Sequence, residues 1–146
     1  MEWLVNDALP TLARIFIVWI FPFSCLDKII NWDHALKQVY SGWLPGGPVL
    51  LILAIIVELV APLMIVFRFY DGIAAFILAG YCVVTGIVYH NFWSYPRFWS
   101  PESEGYPHVW EFLKNFAIVG GLIFVMYSSG FIQATEREVE RISRLI

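Results

Sequence analysis

The 146-residue sequence has little charge: Asp, Glu, Lys and Arg make up 14% of it, and the formal net charge is −3. Soluble domains carry about 25% charged residues. The sequence has no basic run, so we predict no nucleic-acid partner. Its two cysteines, Cys25 and Cys82, are too few for a disulfide scaffold. Both lie in apolar segments, where they are expected to be small buried side chains.

Motifs for common catalytic chemistries are also missing. The sequence contains no CxxC pair, phosphate-binding loop or nucleophile elbow. His34, His90 and His108 do not have the spacing of metal ligands, so we predict no metal site. Haem ligation by His90 and His108 would require the long loop between them to fold back, and no haem is predicted. These absences argue against a chain that catalyses a reaction alone.

Apolar residues, in contrast, are abundant: 60% of the sequence is hydrophobic and 18% is aromatic. Four apolar stretches, at about residues 12–30, 48–67, 72–92 and 112–131, are near the length of about 20 residues that a bilayer core requires. Backbone groups in lipid must be satisfied internally, so we predict four helices. The first stretch lacks the preceding basic region of a signal peptide and is expected to remain as a span. The predicted fold class is an all-α integral membrane protein, a bundle of four transmembrane helices.

The connecting segments complete the predicted organisation. We assign residues 1–132 to the transmembrane domain, with loops at residues 31–47 and 93–111, and residues 133–146 to a charged tail. In the tail, the apolar side chains fall on one helical face, which predicts a short amphipathic C-terminal helix at the membrane surface. Those side chains are Val139, Ile142 and Ile146.

Basic residues favour one orientation in an inner (plasma) membrane. Four spans place both termini on the same side, which carries most of the arginines and is therefore expected to be cytoplasmic. These arginines are Arg14, Arg68, Arg137, Arg141 and Arg144. Among them, Arg14 is expected to anchor the first span at the inner interface. Lipid is accordingly a predicted partner.

A polar spot is predicted in the middle of the second span, at Glu58. Pro62, four residues later, cannot donate a hydrogen bond to the carbonyl of residue 58, and Pro22 similarly frees a carbonyl in the first span. Both prolines are expected to bend their helices. Three cations, Lys28, His90 and Lys114, lie near the ends of the neighbouring spans. Ionisable residues inside membranes are costly and are treated first as functional.

Two interpretations of Glu58 remain open. In one, Glu58 and the three cations line a pocket for the head of a quinone or another small redox or lipid molecule. In the other, Glu58 and one lysine form a structural pair while the remaining cations extend to the interface. Elsewhere in the bundle, Gly120 and Gly121 are expected to allow close packing of the fourth helix.

Several short motifs occur in a fixed order along the predicted spans. They are Leu12-Ala13-Arg14, Lys28, Pro45-Gly46-Gly47, Glu58, Arg68, His90, Phe92 and Phe112-Leu113-Lys114-Asn115-Phe116-Ala117-Ile118-Val119-Gly120-Gly121. Across about residues 12–130 the chain resembles the DoxX family of small bacterial and archaeal membrane proteins. It departs from the family pattern at Cys25, where a glycine is common, and at Leu59-Val60-Ala61-Pro62, where the family is often rich in glycine.

The resemblance implies a membrane redox setting, because family members are linked to quinol oxidase and thiosulfate:quinone oxidoreductase complexes. It therefore suggests a subunit of a respiratory or other quinone-linked complex, with membrane protein partners and a quinone or quinol as ligand. Two alternatives are a purely structural assembly or anchor subunit and a small transporter or channel. The last is the least favoured, because four spans without an evident inverted repeat are few for alternating access.

Overall fold

The computed structural model describes residues 1–144, which are mostly helical and contain no strand. Within this part of the chain, four helical segments are long and apolar enough to cross a membrane: Leu4–Ile30, Pro48–Val66, Asp71–Ser94 and Gly105–Ser128. The predicted class, a bundle of four membrane-spanning helices, is confirmed. Leu145 and Ile146 lie outside the described residues, so the predicted place of Ile146 on the tail helix does too.

The first crossing segment is built from three consecutive pieces. A π-helical stretch, Leu4–Ala8, leads into α1 (Leu9–Val18), and α2 (Ile20–Ile30) follows after an interruption at Trp19. The interruption lies beside the Val18 carbonyl, which Pro22 cannot reach with a hydrogen bond because proline has no amide hydrogen. The first crossing segment also begins at Leu4, well before the predicted residue 12.

The segment predicted as the first loop contains a helix, α3 (Trp32–Ser41). Ala35 and Val39 are four residues apart and therefore share one face, which packs against Leu51 of the next helix. Asn31, with φ −105° and ψ 46°, separates α3 from α2. The prediction of a loop here was wrong, because the pattern of apolar residues is short and is surrounded by polar and aromatic side chains.

The second and third spans form an antiparallel pair, α4 (Pro48–Val66) and α5 (Asp71–Tyr89). Pro62 lies inside α4 and is buried, yet the helix continues to Val66. Between the two helices, Arg68 and Tyr70 have positive φ values of 57° and 48°, which allow the chain to reverse within four residues.

The fourth span, α6 (Gly105–Ser128), begins before the predicted residue 112, and the preceding loop is correspondingly shorter. Gly105 lies so close to Tyr95 that an added Cβ would be 2.6 Å from the Tyr95 Cβ. Gly130, with φ +76°, then turns the chain into the tail helix α7 (Phe131–Ser143). Val139 and Ile142 on α7 are 61% and 50% exposed, so this face has no cover within the described chain.

The core lies between α1, α2, α4, α5 and α6, where small residues on α5 permit close approach. Ala75, Leu78 and Cys82 of α5 are fully buried, and they contact one continuous apolar cluster. Large apolar side chains on the outside of the bundle are, in contrast, more than half exposed: Phe16, Trp19, Phe23, Phe76 and Phe124. An apolar exterior of this kind is suited to lipid rather than water.

The two predicted packing glycines occupy different environments. An added Cβ at Gly121 would be 3.1 Å from Cγ1 of Ile17, so this glycine lies where α6 meets α1. At Gly120 an added Cβ would meet nothing within 4 Å among the described residues. Close helix contact therefore involves Gly121, while Gly120 lies beside open space.

Candidate functional site

The site is centred on Glu58, which α4 places inside the bundle with only 3% of its surface exposed. Lys28, near the end of α2, donates to both carboxylate oxygens, at 2.9 Å to Oε2 and 3.0 Å to Oε1. The sequence places Lys28 nearer the membrane surface than Glu58, and the long lysine side chain spans the difference. The two residues therefore form a direct ion pair between α2 and α4.

Two hydroxyl groups complete the surroundings of the carboxylate. Tyr81 of α5 donates to Glu58 Oε1 at 2.7 Å, and Ser24 of α2 donates to the same oxygen at 3.1 Å. Lys28 Nζ also donates to Ser24 Oγ at 2.6 Å. Oε1 is thus approached by three side chains, which hold the carboxylate in one orientation.

Sequence reasoning missed both Ser24 and Tyr81. Two signals were available. Ser24 is four residues before Lys28 and so lies on the same face of its helix, and Tyr81 is a phenol in an apolar span, where its hydroxyl needs a partner.

Burying such a pair costs solvation energy, and the hydrogen bonds around it offset that cost. The Lys28 side chain is 19% exposed, whereas that of Glu58 is 4% exposed. Lys28 is therefore the more accessible member of the pair, and the carboxylate of Glu58 is almost completely enclosed.

A cavity of about 540 Å³ opens beside this pair. All four residues predicted for the pocket, Lys28, Glu58, His90 and Lys114, line its wall. Side chains of α3, the helix that was predicted as a loop, also line the cavity. Polar lining residues beyond the predicted four are Ser24, Asp27, His34, Gln38, Tyr81, Thr85, Tyr89, Glu111 and Asn115.

The four predicted residues share the cavity wall, but they do not all bond to one another. Lys114 pairs with Glu111 at 2.7 Å, as the spacing of three residues predicts. His90 has a different neighbour: its Nδ1 lies 3.4 Å from Nδ1 of His108, because the first turns of α6 return beside the end of α5. Neither His90 nor Lys114 hydrogen-bonds to Glu58 among the described residues, and Lys28 is the cation that does.

A second ion pair closes the opposite end of the bundle. Arg14 is 7% exposed and donates to Asp71 at 3.2 Å and to Ser128 at 3.2 Å. These bonds tie α1 to the start of α5 and the end of α6. The sequence did not predict these partners, because the fold brings the carboxylate and the hydroxyl to Arg14 from distant parts of the chain. The position of Arg14 at the inner interface stays a prediction.

The two cysteines are free and buried. Cys25 Sγ lies 3.8 Å from the carbonyl oxygen of Ile55, and Cys82 belongs to the apolar core. In the structure both occupy positions of small core side chains.

Comparison with known proteins identifies one relative and one protein family that match this chain. Inner membrane protein YphA of Escherichia coli (strain K12) is 25% identical to this chain over 114 residues, which cover 78% of each protein. No solved structure matches the chain significantly.

The DoxX family matches residues 9–91. This region includes Ser24, Lys28, Glu58, Tyr81 and His90, and it ends before Lys114. The match spans more than half of the sequence, and four helical segments among residues 1–144 can cross a membrane, so this chain belongs to the DoxX family of membrane proteins.

Proposed function

We propose that the chain is a membrane subunit of a quinone-linked redox complex and that it binds a quinone or quinol head in the cavity beside Lys28 and Glu58. The observation that carries the proposal is the buried ion pair, with two hydroxyl groups, at the wall of a cavity of about 540 Å³. Cavities that hold small molecules are commonly about 300–1,000 Å³, with an apolar lining and a few polar groups.

A quinone requires an apolar surface for its ring and tail and a hydrogen-bond donor for its carbonyl oxygen, and the lining provides both. Apolar side chains of α2, α4, α5 and α6 line part of the wall and suit the ring and the tail. They include Ile20, Phe21, Leu53, Val57, Val84 and Ile118. The ammonium of Lys28 supplies a hydrogen-bond donor for a quinone carbonyl oxygen.

The carboxylate gives the proposed site a means of handling protons. Both residues line the cavity, and a bound oxygen that replaces part of the contact of Lys28 with Glu58 would leave the carboxylate free to accept a proton from a quinol hydroxyl. Tyr81 and Ser24 would keep that carboxylate in position. In this proposal the chain binds the ligand and exchanges protons with it, and a partner subunit carries the electrons.

The proposal also includes a direction in the membrane. Both termini would lie in the cytoplasm, on the side of the Arg14–Asp71 pair, so the cavity would open on the other side. A C-terminal fusion to green fluorescent protein should then fluoresce in cells, and a fusion to alkaline phosphatase should be inactive. The reverse pattern would invert the proposed orientation.

Ligand binding can be tested on the full chain in detergent. Native mass spectrometry should show a co-purifying quinone, and titration with a short-chain quinone should quench tryptophan fluorescence. Glu58→Gln should weaken binding about tenfold or more, since hydrogen bonds to charged groups contribute about 1.5–3 kcal/mol. Glu138→Gln, an exposed change on α7, is the matched control and should bind like the original chain.

One observation favours a different role, that of a structural anchor: the carboxylate of Glu58 is already fully engaged by the protein's own donors. In that case Glu58→Gln should lower the amount of folded protein or of assembled complex while leaving the turnover of each assembled complex unchanged. Unchanged quinone binding in a folded Glu58→Gln variant would overturn the ligand proposal.

A further inference from the structure

The first crossing segment changes its neighbours along its length. In its first half, α1 meets α6, where a Cβ added at Gly121 would lie 3.1 Å from Cγ1 of Ile17. In its second half, α2 packs chiefly against α4 and α3, and among residues 1–144 no extensive contact joins it to α6. The change follows the interruption of the helix at Trp19, so α2 and α6 separate beyond the contact of Ile17 with Gly121.

The cavity extends into the space between these two helices. Six of its lining residues, at intervals of three or four positions, come from them: Ile20, Ser24 and Asp27 on α2, and Glu111, Lys114 and Ile118 on α6. Residues at this spacing share one helical face. The faces of α2 and α6 that would pack together in a closed bundle therefore form two walls of the cavity, and the space between them is a lateral gap.

The lateral gap reaches the outer surface of the bundle. The side chains of Glu111 and Lys114 are 43% and 45% exposed, and Ile20 is exposed as well. Large apolar side chains next to these residues in the sequence, Phe23 on α2 and Leu113 on α6, are also exposed. An apolar exterior of this kind is suited to contact with lipid. The gap therefore lies in a part of the surface that the membrane would cover.

We propose that the lateral gap is a portal from the bilayer: it admits a membrane-dissolved quinone and holds its long hydrocarbon tail, while the quinone head lies beside Lys28 and Glu58. The portal rests on the quinone site proposed for this cavity. It adds the class of ligand, a quinone with a long tail, and the route of entry, sideways from the lipid.

The polarity of the gap suits a hydrocarbon tail. Ile20 and Ile118 are the lining residues of α2 and α6 nearest in sequence to the contact between α1 and α6, and both are apolar. Asp27, Glu111 and Lys114 lie about one to two turns farther along their helices. A tail that leaves the cavity between the two isoleucines would therefore contact apolar side chains and no charged group of these two walls.

The size of the cavity also requires an exit for a long tail. Pockets of about 300–1,000 Å³ enclose ligands of drug size. A cavity of about 540 Å³ can thus take a quinone head with a short part of its tail, and the remainder must lie outside. Entry from water would expose the apolar tail to solvent, which is unfavourable, whereas entry from the side keeps the tail in hydrocarbon throughout.

Access of lipid to the gap can be measured without any quinone. A nitroxide label would be attached to Ile118→Cys in a chain that also carries Cys25→Ala and Cys82→Ala, reconstituted in phospholipid vesicles. We expect the label to collide often with oxygen, which dissolves in hydrocarbon, and rarely with a water-soluble nickel complex. A label at Leu113→Cys, an exposed position of the same helix, is the reference for lipid contact. Frequent collision with the nickel complex, or shielding from oxygen relative to Leu113→Cys, would overturn the portal.

Entry of the quinone is tested by narrowing the gap. The full chain in lipid nanodiscs would bind a radiolabelled benzoquinone without a tail, and a long-tailed quinone dissolved in the same lipid would displace it. Ile118→Trp should raise the concentration of long-tailed quinone needed for half displacement about tenfold or more, because the indole occupies the path of the tail. The affinity for the tail-free probe should change less than about threefold, since Lys28 and Glu58 are unaltered.

Two further variants complete the binding test. Ile20→Trp narrows the gap from the α2 wall and should reproduce the effect, which keeps the test decisive if Ile118→Trp folds poorly. Leu113→Trp is the matched control: it adds the same ring to α6 at a position that does not line the cavity, and both affinities should be unchanged. Equal displacement by the long-tailed quinone in the original chain and in both gap variants would overturn the portal. Failure of the tail-free probe to bind the original chain would overturn the quinone site instead, and the nitroxide measurement would still decide whether lipid reaches the gap.

Discussion

Tyr81 donates a hydrogen bond of 2.7 Å to Oε1 of Glu58, although the two residues lie on different helices and are 23 positions apart. This bond links α5 to the ion pair that already joins α2 to α4. Three of the four spanning segments therefore meet at one carboxylate. Loss of the Tyr81–Glu58 hydrogen bond should therefore lower the stability of the bundle and alter the wall of the cavity.

Removing the tyrosine hydroxyl tests this bond. Tyr81→Phe keeps the ring and deletes one donor to a buried carboxylate, so we expect a loss of about 1.5–3 kcal/mol in stability. Thermal unfolding in detergent, followed by static light scattering, should show a lower melting temperature. Tyr127→Phe on α6, where the tyrosine is 63% exposed, should leave it unchanged. Equal effects of the two substitutions would contradict the assigned role of Tyr81.

A double-mutant cycle tests the ion pair. Lys28→Met leaves the carboxylate of Glu58 buried without its cation, and breaking a buried pair in this way costs about 3–5 kcal/mol. Lys28→Met combined with Glu58→Leu removes both charges and should recover most of that loss. Lys37→Met, an exposed lysine on α3, serves as the control. A double variant as unstable as Lys28→Met would show that the two residues do not act as a pair.

The Arg14–Asp71 pair should stabilise the opposite end of the bundle. Asp71→Asn leaves Arg14 buried beside a neutral group, so we expect the melting temperature to fall clearly. Arg14→Gln should do the same, and the two changes together should cost less than the sum of each alone. Arg137→Gln on α7 changes an exposed arginine and should have little effect. If the losses in stability of the two single variants simply add in the double variant, Arg14 and Asp71 are not directly coupled.

Two glycines of α5 should respond differently to an added methyl group. At Gly72 a Cβ would collide with Cβ of Phe131 and lie 2.5 Å from Oγ of Ser129, where the tail helix begins. At Gly80 it would meet nothing within 4 Å. Gly72→Ala should therefore destabilise the chain in a melting experiment, while Gly80→Ala should be neutral or slightly stabilising. A neutral Gly72→Ala would mean that α7 moves aside at little cost.

The limits of sequence reasoning are visible in particular residues. Glu58 and Lys28 stood out because charges are rare in apolar spans, and their pairing was one of two interpretations. The partners Ser24 and Tyr81 did not stand out, because hydroxyl side chains are common and inexpensive in membrane helices. Helix α3 was missed because its apolar face is formed chiefly by Ala35 and Val39, too few to distinguish a helix from a loop.

By itself, the sequence determined the class of the protein: long apolar runs must form helices in lipid, because no water is available for their backbone groups. It also identified the rare intramembrane charges. Only the tertiary structure decided which charges meet, because pairing depends on how α2, α4, α5 and α6 are arranged around the cavity. The same packing joined Arg14 to Asp71 and His90 to His108, contacts between residues that no local spacing relates.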